Sequence, residues 1–318
     1  MHVTLATKTL EAIENTIKKD QGSSFRGFLG KVIPHMGDAY RTGEDNFRSH
    51  MGASLIGGEC ARAIYYGFRW ATRPTFDGRT LRLFNRGHLE EARMIACLLT
   101  IGVEVYQQDA NGNQFRISDA GGHFGGSGDG VAIGLPDLAP GTPALLEFKT
   151  HNDASFKKLL LPEGVRGCKF EHYVQMQTYM RKMGLACALY LAVNKNNDEL
   201  YGEIVTLNVE VAEQFIERAR KIIPIKAAPE RINKSPGFYM CKWCDHSPVC
   251  HQGKAPERNC RTCEYARADI TDGKWWCDNQ TRQMELLFAE TNPFKEDFTL
   301  SKDRQLASCE HYKINTEF

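Results

Sequence analysis

Leu145-Leu146-Glu147-Phe148-Lys149 (residues 145–149) reads as a β-strand that carries chemistry on one face. With a period of two, Glu147 and Lys149 point one way while Leu146 and Phe148 point the other. Upstream, Gly128-Asp129-Gly130-Val131 sets an acid where a strand leaves a glycine-rich bend, a backbone that lets chain or ligand approach closely. Glu-x-Lys alone reads as a solvated charged face, and Asp-Gly alone as a turn. Together, on segments expected to be adjacent strands, they form a set of hard oxygen ligands with a lysine beside it. Such a set suits phosphodiester hydrolysis, in which Mg²⁺ or Mn²⁺ neutralises charge at phosphorus and activates water. A nearby lysine stabilises the developing charge or orients that water.

Outward from this strand, helical and extended periodicity alternate. Apolar spacing predicts helices over 7–19 (Leu10, Ile13, Ile17), 86–100 (Leu89, Ala92, Ala96, Leu99), 171–183 with a stop at Gly184, and 209–223 (Val211, Phe215, Ala219, Ile222). Segments 103–107, 114–118, 123–133, 144–149, 186–194 and 200–207 read as strands between Gly, Asn, Asp and Pro punctuation. The order describes an α/β core with a mixed sheet flanked by helices. The stretch from Asp20 to His50 shows no clear pattern. Beyond Pro224 the chain is rich in Cys, Trp, Lys and Asp and poor in aliphatic periodicity, so metal is expected to staple it. The organisation expected is an N-terminal helical region over 1–50, a core over 51–250 and a Cys-rich, metal-binding C-terminal module over 251–318.

Hydrophobic residues make up 42% of the 318 and charged residues 25%, the balance of an ordinary globular protein. Forty Lys and Arg against 39 Asp and Glu leave a net charge of +1, so any site for a polyanion must be local. Residues 1–20 lack the pattern of a secretory signal and no long apolar run occurs, which points to a cytoplasmic protein outside the membrane. Eleven cysteines in a reducing compartment point to metal rather than disulfides. Cys97, Cys168 and Cys187 read as buried or isolated thiols. Cys241-x-x-Cys244-x5-Cys250 is a three-thiolate group in want of a fourth ligand, and Cys260 or Cys263 would complete a zinc knuckle. Cys260-x-x-Cys263 followed by Cys277 is equally part of a zinc site, with Cys309 or His311 fourth across a much longer gap. Trp275 and Trp276 either stack on nucleobases or cap a small core.

Asp129, Glu147-x-Lys149 and Gln175-x-x-x-Tyr179, in that order, resemble the PD-(D/E)xK signature of the RecB-like nucleases. Helical spacing puts Gln175 and Tyr179 on one face, and the resemblance implies that they lie beside the active site and position lysine and DNA. Gly87-His88-Leu89-Glu90-Glu91 resembles the family's first helix, where a metal-binding His or Glu follows Gly by four. That selects Glu91, with Glu90 the alternative and His88 expected to face elsewhere. Ser54-Leu55-Ile56-Gly57-Gly58-Glu59-Cys60-Ala61-Arg62 resembles the N-terminal segment of the CRISPR-associated and AddB-type iron-sulfur nucleases. The likeness implies a four-iron four-sulfur cluster on Cys60, Cys241, Cys244 and Cys250, structural rather than redox, which closes a very long loop of chain between the first cysteine and the second.

The resemblance, which runs from Cys60 to Cys250, implies a restriction-endonuclease-like fold and a metal-dependent deoxyribonuclease, more an exonuclease than an endonuclease. Glu91, Asp129 and Glu147 would hold Mg²⁺ or Mn²⁺, Lys149 would serve water or phosphate, and the substrate would be single-stranded DNA or DNA ends. Partners in recombination, replication or CRISPR-type systems, an oligomer and a phage origin are further implications. The zinc module at Cys260, Cys263, Cys277 and Cys309 lies beyond the resemblance. Arg86, Lys157, Lys158, Arg166, Lys169, Arg181 and Lys182 are candidate backbone contacts. The rival reading is a DNA-binding or protein-recruiting module on the same fold with little catalysis. A redox protein finds no support, because no Gly-x-Gly-x-x-Gly fingerprint is present.

Overall fold

The computed structural model describes residues 3–40, 47–73, 75–281, 283–284 and 298–318, the side chain of Asp38 excepted. In chain order the strands are β1 (Thr4–Leu5), β2 (Met51–Gly52), β3 (Glu104–Tyr106), β4 (Arg116–Asp119), β5 (Phe124–Ser127) and β6 (Gly130–Ile133). They continue as β7 (Pro143–His151), β8 (Cys187–Asn194), β9 (Leu200–Thr206), β10 (Ala266–Ala268) and β11 (Trp275–Cys277). The helices are α1 (Thr7–Lys19), α2 (Ser23–Val32), α3 (Gly37–Tyr40), α4 (Ala61–Phe68), α5 (Gly78–Thr100) and α6 (Asp153–Leu159). After them come α7 (Gly164–Cys168), α8 (Phe170–Met183), α9 (Val209–Ile222), α10 (Tyr239–Lys242), α11 (Ser247–His251) and α12 (Lys302–Ala307). The fold is mixed α/β, as the alternating periodicity predicts. Among the described residues no helix is long and apolar enough to cross a membrane.

The chain divides into two units that do not follow its order. Unit 1 comprises Met1–Glu44, Phe76–Ile117 and Gly126–Gln214, and unit 2 comprises Asp45–Thr75, Ser118–Gly125 and Phe215–Phe318. Of the expected segments, 1–50 and 51–250 are each divided between the two units and 251–318 falls in unit 2, with residues 285–297 outside the described residues.

Unit 1 is built on a six-stranded sheet in the order β1-β9-β8-β7-β6-β3. Strands β7 and β8 run parallel from Ala144↔Cys187 to His151↔Asn194, while the other pairs are antiparallel. A parallel neighbour needs a crossover, and α6, α7 and α8 supply it. All of β8 is buried, and Leu189 and Leu191 are fully so, each stabilising the fold by about 1.5–3 kcal/mol. Leu146 and Phe148 of β7 pack in one core with Ile13 of α1 and Ala92, Ile95 and Leu98 of α5. The opposite face of β7 carries Glu147 toward α8. The alternation expected for 145–149 is therefore realised.

Two departures from the sequence reading matter for the site. The run 123–133 is not one strand: β5 and β6 belong to different sheets, broken by the bend at Gly128-Asp129-Gly130. Gly130 has φ +149°, and a Cβ there would meet the Tyr106 carbonyl oxygen at 2.7 Å, so only glycine fits. Helix α5 starts at Gly78 rather than Arg86, because the Asp77 side chain caps it by accepting from the Thr80 N–H at 2.7 Å.

In unit 2, β2 lies parallel to β5 and β10 antiparallel to β11. Two guanidinium groups are buried at its centre. Arg261 donates to the Phe68 and Ser49 carbonyls at 2.8 Å each and to Gln305 Oε1 at 2.6 Å, and it stacks 3.7 Å over the Trp70 ring. Arg69 donates to the Ile225 carbonyl at 2.5 Å and faces the Trp275 ring at 5.0 Å. Burial lowers the pKa of both. Aromatic faces and carbonyls hold these cations, a core made without long aliphatic stretches.

Candidate functional site

The acids expected to act together are gathered in unit 1. Register sets Gly130 opposite Leu146, so Asp129 stands one step from Glu147, and its Oδ2 accepts from the Phe148 N–H at 2.7 Å. Glu147 is buried. Its Oε1 pairs with Lys149 Nζ and its Oε2 accepts from Gln175 Nε2 at 3.2 Å. Gln175 and Tyr179 share the buried face of α8, as the helical spacing predicts, with distinct contacts. The Tyr179 hydroxyl donates to the Ser127 carbonyl at 2.9 Å, and its ring lies beneath Gly128, 3.6 Å from where a Cβ would be. Tyr179 thus supports the bend that delivers Asp129, while Gln175 orients Glu147.

Glu91 on α5 acts electrostatically on Lys149, whereas Glu90 is drawn into an ion pair with Arg93 at 2.9 Å. Of the two, Glu91 is the one whose charge bears on the lysine. His88 is a residue the sequence reading placed elsewhere. It stands within electrostatic reach of Asp129, and its Nδ1 is buried with no hydrogen-bond partner among the described residues. The signal was present, since residues three apart on a helix share a face.

Burial pushes the carboxyls of Asp129 and Glu147 up, Lys149 opposes this, and the charge of Asp129 adds to the cost of ionising Glu147. Burial alone would depress Lys149, but the carboxylates of Glu147, Asp129 and Glu91 outweigh it and hold its proton on. Three acids against one lysine leave a negative excess at a buried place, which a divalent cation would offset. On the same face of the sheet, Tyr190, the register partner of Glu147, meets His151 Nε2 at 2.8 Å and His172 Nδ1 at 3.0 Å. One hydroxyl holds one proton, so it donates to one ring and accepts from the other.

Several basic residues expected on a nucleic-acid path have protein partners. Arg86 donates to the Lys195 carbonyl at 2.9 Å, Lys157 pairs with Asp153 at 2.7 Å, Arg181 pairs with Glu213 at 2.5 Å, and Arg166 lies over the Tyr173 ring.

The two expected cysteine groups lie in unit 2, and all eleven cysteines of the chain carry thiols. Burial raises the thiols of Cys241 and Cys244, and Cys60 and Cys250 raise both further, so the four stand within electrostatic reach of one another. Cys60 caps α4, and the chain before it is held by Arg218, which donates to the Ile56 carbonyl at 2.8 Å. A second group, Cys260, Cys263, Cys277 and Cys309, lines a separate small cavity together with His311. Among the described residues, however, no three His, Cys, Asp or Glu side chains already converge as a metal site. Trp275 is buried against Arg69 and Arg261, the core-capping role of the two envisaged for it, and Trp276 Nε1 donates to Asp272 at 3.1 Å.

No protein-family model and no curated protein matches the chain. Among solved structures, it is similar to LHK-Exo, an alkaline exonuclease from Laribacter hongkongensis, with 14% identity over 55% of this chain and 86% of that one, at a TM-score of 0.38. LHK-Exo in complex with dAMP gives 16% identity over the same shares at 0.39. SSO0001 gives 14% identity over 72% of this chain and 97% of that one at 0.36. At this distance the chemistry must be read from side chains.

Proposed function

We propose that the chain is a metal-dependent deoxyribonuclease on a restriction-endonuclease-like PD-(D/E)xK fold of the RecB-like kind, acting on single-stranded DNA or DNA ends. The observation that carries the reading is the assembly on one buried face of Asp129, Glu147 and Lys149, with Gln175 orienting the glutamate. Glu91, Asp129 and Glu147 supply hard oxygen donors for Mg²⁺ or Mn²⁺, and their negative excess suits a divalent charge. When bound, the metal neutralises the phosphate and lowers the pKa of water. Lys149, charged and only half-buried, is placed to meet the non-bridging phosphate oxygens as charge develops on them. Asp129 is fixed by the Phe148 N–H and by the bend that Tyr179 supports, so the ligand set is pre-oriented. The same reading gives Cys60, Cys241, Cys244 and Cys250 to a structural four-iron four-sulfur cluster, whose all-thiolate donor set they match.

The test is cleavage of end-labelled single- and double-stranded DNA under anaerobic conditions with and without Mn²⁺. Glu147→Gln and Lys149→Ala are each expected to lower the rate by about 10²-fold or more, as losing one charge-stabilising group does elsewhere. If the wild-type chain binds DNA and leaves it intact with either metal, the nuclease reading fails and a binding or recruiting module replaces it.

A further inference from the structure

The second cysteine group is not absorbed by the nuclease reading and does not depend on it. We propose that Cys260, Cys263, Cys277 and Cys309 form a closed four-thiolate site for one zinc ion that holds the C-terminal part of unit 2 together.

Two turns and the end of a strand bring these thiols to one place. Cys260 and Cys263 flank a 3-10 turn closed by the Cys263 N–H on the Cys260 carbonyl at 3.0 Å, with Asn259 and Thr262 capping it reciprocally. Cys277 ends β11 opposite Ala266, which follows closely on Cys263. Cys309 opens a turn of its own, with the Tyr312 N–H on its carbonyl at 3.2 Å, and Arg258 donates to the same carbonyl at 2.8 Å. The long stretch of chain between Cys277 and Cys309 is no obstacle, since the Leu300 N–H bonds the Trp275 carbonyl at 2.7 Å and the returning chain runs beside β11. Ile314 then pairs with Cys263, and the Asn315 N–H bonds the Thr262 carbonyl at 3.0 Å, so the last turn lies on the first.

The cavity these thiols line measures about 20 Å³, room for a single ion. Four thiolates with no open coordination position are the donor set of structural rather than catalytic zinc sites. The thiols face one void without yet touching a common point, and thiolate rotation about χ1 on metal binding would close it.

Zinc and iron are measured by elemental analysis in the full chain purified anaerobically. Cys263→Ser and Cys309→Ser are expected to lose zinc and keep iron, while Cys241→Ser keeps zinc. Zinc retained in both variants, zinc lost only from His311→Ala, or iron lost in place of zinc would each overturn the proposal. X-ray absorption at the zinc edge of the wild-type chain needs no folded variant, and sulfur alone at about 2.3 Å is expected. A first shell containing nitrogen or oxygen would sink the four-thiolate assignment.

Discussion

His151 and His172 share the Tyr190 hydroxyl beside the acids, and both are held neutral. Burial drives His151 down to about 4 and His172 to about 3, and the charges of Lys149 and Lys169 add to it. In the unfolded chain each would titrate near 6.5, so as pH falls the unfolded form binds protons first. Their contribution to stability is complete above about pH 6.5 and is lost as pH drops toward 4 and then 3. The raised carboxyls of Asp129 and Glu147 act in the opposite sense, because the folded form then takes the proton. A single histidine variant separates the two effects. Urea unfolding of His172→Gln is expected to show a smaller loss of stability between about pH 7.5 and pH 5 than the wild type. An equal loss in both would mean that His172 is not held neutral by the fold.

The bend between β5 and β6 is the element on which the site depends. Gly130→Ala meets both a disfavoured φ and the Tyr106 carbonyl, and is expected to cost about 1–3 kcal/mol, seen as a lower urea midpoint at unchanged slope. Full stability in that variant would show that the bend relaxes freely. The same bend marks where legibility in the sequence ends. Segments 144–149, 171–183, 186–194 and 200–207 are legible because apolar runs are bounded there by Gly, Asn, Asp and Pro, and Glu147 and Gln175 meet as their positions on strand and helix allow. Residues 123–133 misled because Phe124 on one side and Val131, Ala132 and Ile133 on the other were joined into one strand across the glycine-rich bend, which marks a turn of the chain but not that the two sides pair in different sheets. Helix α4 spans only eight residues, shorter than the window over which a helical period is read, so the sequence reading passes over it. The first turns of α5 expose Leu81, Leu83 and Phe84, which left Asp77 as their local signal. That the Tyr179 hydroxyl reaches Ser127 rather than the acids is a tertiary fact that no spacing encodes.

Across the whole molecule, the acids and the cysteine clusters fall in different units, and so do the probes that report on them. All four tryptophans, Trp70, Trp243, Trp275 and Trp276, belong to unit 2, so tryptophan fluorescence follows that unit, whereas far-UV circular dichroism also sees α1, α5 and α8 of unit 1. Cys60→Ser is expected to move the fluorescence transition in urea to lower denaturant by more than the circular dichroism transition. Coincident shifts would show that the units unfold as one cooperative body. The interleaving of the units also has a consequence in time. Cys60 leaves the ribosome's catalytic centre well ahead of Cys241, about 10–35 s earlier at common elongation rates. Throughout that interval its thiol has none of the three cysteines it ends up beside, so assembly of that group is a late step in the life of the nascent chain, and an oxidant or a stray metal has its best opportunity before it.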